Sequence, residues 1–75
     1  MDSIKPGRYR HYKGKDYQVI GTGRNSETLE EMVVYQALYK SEDFGDKVLW
    51  IRPKELFLKP VMIDGKEAKR FKYIS

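Results

Sequence analysis

The sequence predicts an all-β domain, a small sandwich or barrel. Two observations carry that prediction. Turn-forming residues recur at short intervals: Gly7, the Lys13-Gly14-Lys15-Asp16 cluster, Gly21 and Gly23, Asp43-Phe44-Gly45-Asp46, Pro53, Pro60 and Asp64-Gly65. The runs between them are short and rich in aromatic and β-branched residues, which suit a pleated, half-buried surface. No repeat, low-complexity tract or linker divides the chain, so residues 1–75 are expected to form one domain, with residues 1–6 a flexible N-terminus.

The elements follow in order. Arg8 to Tyr12 and Tyr17 to Thr22 read as a hairpin across Lys-Gly-Lys-Asp. Strand side chains alternate, so Tyr9 and His11 share one face and Arg8, Arg10 and Tyr12 the other. Ser26 to Tyr39 has two readings. Thr28-x-x-Glu31 has the form of a capping box, followed by Leu29, Met32 and Val33 at helical spacing, which allows a helix from Leu29 to Lys40. Against it, Val33-Val34-Tyr35 and Tyr39 prefer strands, and local physics favours the strand. In that strand Val33, Tyr35, Ala37 and Tyr39 share one face, and Val34, Gln36 and Leu38 the other. Lys47 to Arg52 is a strand stopped by Pro53, with Trp50 in the core. Lys54 to Leu58 suits one helical turn, with Pro53 at its start. Val61 to Ile63, Asp64-Gly65 and the residues through Ile74 read as a final hairpin.

Size and composition bound the function. Seventy-five residues bury only about 60% of the unfolded chain's surface. A ligand cavity of roughly 300–1,000 Å³ would consume much of such a core, so a shallow surface site is expected. Hydrophobic residues at 40% and aromatics at 13% mark a folded globule despite 35% charged residues. The absence of cysteine excludes disulfides, thiolate metal sites and cysteine nucleophiles. With one histidine and no calcium-loop spacing, no metal and no cofactor is expected. No leader-like or membrane-spanning stretch is visible, so a soluble cytoplasmic protein without membrane contact is the expectation.

The net charge of +4 is unevenly distributed. Residues 1–24 carry six cations and two acids, residues 25–46 carry one cation and six acids, and residues 47–75 carry eight cations and three acids. Small domains need charged surfaces for solubility, and an acidic middle can simply lie against basic ends. The alternative is a basic face for nucleic acid or an acidic partner.

Two segments stand out chemically. In the first, Arg8, Arg10, Lys13 and Lys15 interleave with Tyr9, Tyr12 and Tyr17, a pattern that can hold phosphates and stack bases. In the second, Arg24, Ser26, Glu27, Thr28 and Glu30 form a dense polar patch. It can recognise a charged or amide-bearing group, or merely fix a loop through side-chain-to-backbone bonds. His11 is the only side chain with an ordinary pKa near neutrality, and catalysis by it would need a carboxylate such as Glu27 or Glu30 within reach. Arg52 can anchor a carboxylate, whether a ligand's or an internal one on Glu27 or Glu30. Gly21-x-Gly23 lacks the rest of a dinucleotide fingerprint.

Gly7-x-Tyr9-Arg10-His11-Tyr12-Lys13-Gly14, Ser26-Glu27-Thr28-x-Glu30, Val33-Val34-Tyr35-x-x-Leu38-Tyr39, Leu49-Trp50-Ile51-Arg52-Pro53 and Phe57 together resemble a bacterial family of unknown function, DUF1653, over about Gly7 to Phe71. The resemblance implies a stand-alone domain with an SH3-like small barrel of about five to six strands, a helical turn near residues 53–58 and no established reaction. It also strengthens the strand reading of Met32 to Tyr39. The family pattern has histidine before Ser-Glu-Thr and methionine before the phenylalanine of the turn, where this chain has Asn25 and Leu56. That departure argues against a histidine-pair site.

The expected function is a non-catalytic binding module for a protein segment or nucleic acid, as a monomer or weak homodimer. The candidate binding residues are Tyr9, Arg10, His11, Arg24, Ser26, Glu27, Thr28, Glu30, Tyr35 and Arg52. Arg8, Arg10, Lys13 and Lys15 are weaker candidates for nucleic-acid contact. The competing expectations are a small enzyme or metabolite-binding protein using His11 with a glutamate, and a cluster that only braces the fold or forms a dimer edge.

Overall fold

Five strands form one curled antiparallel sheet that contributes Tyr9, Val19, Val33, Tyr35 and Phe71 to the buried core. The computed structural model describes residues 4–75. Its strands are β1 (Gly7–His11), β2 (Asp16–Arg24), β3 (Glu31–Ala37), β4 (Lys40–Ser41), β5 (Gly45–Asp46), β6 (Leu49–Pro53), β7 (Val61–Ile63), β8 (Lys66–Ala68) and β9 (Phe71–Tyr73), with helix α1 (Lys54–Leu58) between β6 and β7. The five-stranded sheet has the order β6-β3-β2-β1-β9, and β4–β5 and β7–β8 are separate two-stranded hairpins.

The predicted alternation holds where it positions the core. Tyr9 pairs with Tyr17, and Val19 with Tyr35, on the inner face; Arg8 pairs with Gln18 and Arg10 with Asp16 on the outer. A bulge at Ile20 shifts the β2–β3 register and bends the sheet. Tyr9, Val19, Val33, Tyr35, Phe57 and Phe71 form the buried cluster, with Ile4, Tyr17 and Trp50 packed against it. Phe57 stacks on Phe71 with ring centroids 4.2 Å apart, while Tyr9 and Tyr35 meet Phe57 edge-on. Trp50 joins the core as expected, its ring edge-on to Phe44 at 5.6 Å.

Residues 31–37 are strand, so the helical reading of this segment fails. The apparent capping box is a turn instead. Asn25 Oδ1 accepts from the backbone N–H of Glu27 and of Thr28, Thr28 Oγ1 accepts from Glu30 N–H, and Leu29 adopts φ 64°. A left-handed leucine cannot continue a right-handed helix, and β3 begins two residues later.

Two further expectations are corrected. The sheet is not a closed barrel: β6 and β9 are its edges and are not paired with each other. Five short strands curl without closing, and α1 covers the open side with Phe57. The last hairpin also ends sooner than predicted. Asp64 and Gly65, at φ 51° and 77°, make the tight turn, but its second arm stops at Ala68. Phe71–Tyr73 turns back to pair with β1, where Tyr9 meets Tyr73 and His11 meets Phe71. Phe71 has a core to enter, and that outweighs continuing a two-stranded ribbon in water.

Of the N-terminal segment expected to be flexible, residues 1–3 lie outside the described residues. Ile4 packs on the core, and the Lys5 carbonyl accepts a 2.7 Å bond from the Tyr9 hydroxyl. Gly7 has φ 148°, and a Cβ there would sit 2.7 Å from a Tyr73 ring carbon, so only glycine lets the chain enter β1 beside β9.

Candidate functional site

The predicted site residues separate into three places. Arg8 and Arg10, on the outer face, both bind Asp16: Arg8 Nη2 lies 2.6 Å from Oδ2 and Arg10 Nε 2.8 Å from Oδ1. Hydrogen bonds from Arg10 and then Arg8 hold the Asp16 carboxyl down at about 2. These two cations therefore share one carboxylate, and the trio keeps a single net positive charge.

The polar patch occupies the turn after β2. Besides the bonds that shape that turn, Arg24 Nη1 donates to the Leu29 carbonyl (2.9 Å) and Ser26 Oγ to Glu27 Oε1 (3.0 Å). Arg24, Asn25, Ser26 and Glu27 rim a shallow 420 Å³ groove over Met32, Val34 and Ile51 on the outer face. His11 closes the β1–β2 turn at the other end of β2, so no glutamate of the patch approaches it. Arg52 bonds neither Glu27 nor Glu30, and among the described residues it has no ion-pair partner, so of its two readings the internal pair with Glu27 or Glu30 is not formed. The carboxylate tied to this region is Glu31, 3.3 Å from Lys54 of α1.

The third place is the inner face and the edge beyond it. His11, Tyr17 and Tyr35 surround Phe71 at centroid distances of 4.9, 5.8 and 5.6 Å. The Arg52 guanidinium lies 5.9 Å from the Phe71 centroid, and that of Arg70 lies 5.9 Å from the Tyr12 centroid. His11 Nδ1 accepts from Lys13 N–H at 3.1 Å, which fixes the remaining imidazole proton on Nε2 of the neutral ring. Burial, and then the fields of Arg70, Arg52 and Lys13, hold His11 below its ordinary pKa. Tyr17 is pushed upward by burial and by its 2.9 Å bond with the Tyr39 hydroxyl. Tyr9 is buried and its hydroxyl engages Lys5, so it supports the site from behind.

Beside this face runs a groove of about 770 Å³, open to solvent. Its walls are the edge strand β9, the β1–β2 turn and the β7–β8 hairpin. Arg10, His11, Lys69 and Lys72 line it with Tyr12 and Tyr73, over Ile63, Ala68 and Ile74, and no carboxylate is among its lining residues. Lys69, Lys72 and Tyr73 were not among the candidates read from sequence. A signal for them exists. Lys69-Arg70-Phe71-Lys72-Tyr73 repeats the cation–aromatic alternation of Arg8-Tyr9-Arg10-His11-Tyr12, and β9 pairing with β1 lays the two runs side by side.

Among the described residues no group of three or more histidines and carboxylates gathers to hold a metal. No helix among them is long and apolar enough to cross a membrane.

The model of a family of proteins of unknown function, DUF1653, matches residues 7–73. The chain belongs to that family. A crystal structure of a DUF1653 protein from Bordetella bronchiseptica is similar to it, with 34% identity and a TM-score of 0.83 over 95% of this chain and 87% of that one. A search of curated proteins finds no match. The DUF1653 match thus spans β1 to β9, and with them every wall of the basic groove.

Proposed function

We propose that this domain is a non-catalytic binding module that holds single-stranded nucleic acid in the groove beside β9. One observation carries the reading: the groove beside β9 is lined by His11, Lys69 and Lys72 with Tyr12 and Tyr73 and by no acid, while Arg10 at its rim is held by Asp16. Lysines along a channel attract phosphates, and tyrosine rings stack on bases irrespective of sequence. Tyr12 and Tyr73 are each 40% exposed, so both offer ring surface to a ligand. The groove is open and shallow, as a strand of varied sequence requires. The wiring of His11 Nδ1 to the Lys13 backbone, with no glutamate beside it, supports binding over acid–base chemistry.

The test is an amide NMR titration with short single-stranded oligonucleotides at low and high salt. Shifts are expected on Tyr12, Lys69, Lys72 and Tyr73, with affinity falling as salt rises in proportion to the phosphates contacted. Equal binding of polyglutamate would replace the nucleic acid with an acidic protein segment. No shift at low salt would overturn the reading.

The groove over Met32, Val34 and Ile51 favours a second reading, a protein segment laid on an apolar floor with Arg24 and Glu27 at its rim. Salt-insensitive shifts confined to those residues on titration with a peptide would identify it.

A further inference from the structure

His11, Tyr17, Tyr35 and Arg52 gather around Phe71 at the edge of the inner face, its mouth, and no carboxylate among the described residues pairs with Arg52. Tyr35 is 5% exposed, yet its hydroxyl has no hydrogen-bond partner among the described residues. No fully buried side-chain polar atom among those residues lacks a partner, so that hydroxyl opens at the surface of the mouth. The Tyr17 and Tyr39 hydroxyls bond each other at 2.9 Å. In such a pair one O–H is given to its partner and the other stays available to donate outward. Arg52 is half-buried on the edge of the same face, held against the Phe71 ring and paired with no acid among the described residues. The neutral His11 presents Nε2–H. Lys15 adds a charge 4.7 Å from the Tyr39 centroid.

Donors that open at a protein surface without an internal acceptor are free to bind a ligand that supplies acceptors, and a guanidinium does so most strongly with an anion. We propose that this mouth binds a phosphate monoester, with Arg52 as the two-pronged anchor and Tyr35, the Tyr17–Tyr39 pair and His11 donating to the remaining oxygens. A monoester brings about −1.5 to −2 charge and three terminal oxygens. That matches a guanidinium with several further donors better than one carboxylate does. The site is separate from the β9 groove, with His11 between them, and does not depend on the nucleic-acid reading.

The probe is inorganic phosphate, titrated into the labelled domain at constant ionic strength, following the Arg52 Nε–H and the His11 ring resonances. Saturable shifts are expected at both. Arg52→Gln should weaken binding at least about tenfold, and a Lys66→Ala variant, on the exposed β7–β8 hairpin, should leave it unchanged. Arg52→Lys, which keeps the charge and loses the fork, serves if the glutamine variant does not fold, and intermediate weakening is then expected. Shifts reproduced by chloride, or retained in full when Arg52 is changed, would overturn the proposal. Phosphate binding with no affinity for unphosphorylated oligonucleotides would leave this site standing and overturn the groove reading; the reverse result would do the opposite. Comparing a 5′-phosphorylated oligonucleotide with a phosphoserine peptide then identifies which molecule carries the phosphate, and equal, weak binding of both points to the free ion.

Discussion

Arg10 and Arg52 sit two strands or fewer from a sheet edge, and the chain treats them oppositely. Arg10, with Arg8, is clamped on the outer face by the single carboxylate of Asp16. Arg52, on the inner face, rests against an aromatic ring with no acid to meet it among the described residues. The difference teaches that a basic stretch in a sequence is not yet a basic surface. The Arg8–Lys15 run looks the more cationic, but its two arginines already have a partner. Among the cations that no acid meets within the described residues are Arg52, Lys69 and Lys72.

The contrast can be broken most severely through the ring that holds Arg52. Phe71→Ala removes the stack on Phe57 and the contacts with His11, Tyr17 and Tyr35, and should cost about 3–5 kcal/mol. Thermal or urea unfolding would measure it. In a domain this small that is a large part of total stability, and the Arg52 site should vanish with the fold.

A second change turns the outer face into a likeness of the inner one. Asp16→Asn releases Arg8 and Arg10 together, so polyanion affinity at low salt should rise while the melting temperature falls. Because the folded-state pKa of Asp16 is depressed to about 2, its stabilising effect is present above the unfolded value near 4 and is lost as pH falls from about 4 toward 2. Acid unfolding followed by circular dichroism should show that loss in the wild type and not in Asp16→Asn.

The converse applies at Arg52. Replacing it with Met removes a cation that has no acid partner and keeps an apolar stem over Phe71. Stability should hold or rise by about 0.5–2 kcal/mol, as at other positions where function opposes stability, with phosphate binding lost. A marked fall in melting temperature would show that Arg52 is structural. The smallest expected effect is at His11. Its depressed pKa means the folded state protonates less readily than the unfolded chain, so its contribution is present above about pH 6.5 and is lost as pH falls below it. The slope should be absent in His11→Gln, and bound phosphate should shift it by raising the histidine's pKa.

What was legible in the sequence was what local chemistry determines. The β1–β2 hairpin, the inward face of β3, the single turn after Pro53 and the Asp64-Gly65 turn follow from alternation and turn residues, and all appear where expected. What was not legible depends on tertiary partners. Thr28 and Glu31 satisfy a helix-cap pattern, and only the Asn25-centred turn with its left-handed Leu29 shows that the cap is not used. Arg52 gave no sign of lacking a partner, because Glu27 and Glu30 looked available until the turn bonds placed them elsewhere. The second basic run went unread because nothing local says that residues 69–73 leave their hairpin for β1.

That departure also bears on how the domain assembles. β1–β2 and β2–β3 join neighbours in sequence, but Tyr9 and Tyr73 meet across most of the chain. Contacts between near neighbours close small loops, whereas β9 must close the longest one, at the greatest entropic cost. The edge strand is thus expected to dock last and to leave first. Phe71 arrives with it, so the Arg52 mouth exists only once folding is complete. A ligand held there should slow unfolding while leaving the folding rate unchanged, and stopped-flow measurements with and without phosphate would separate the two.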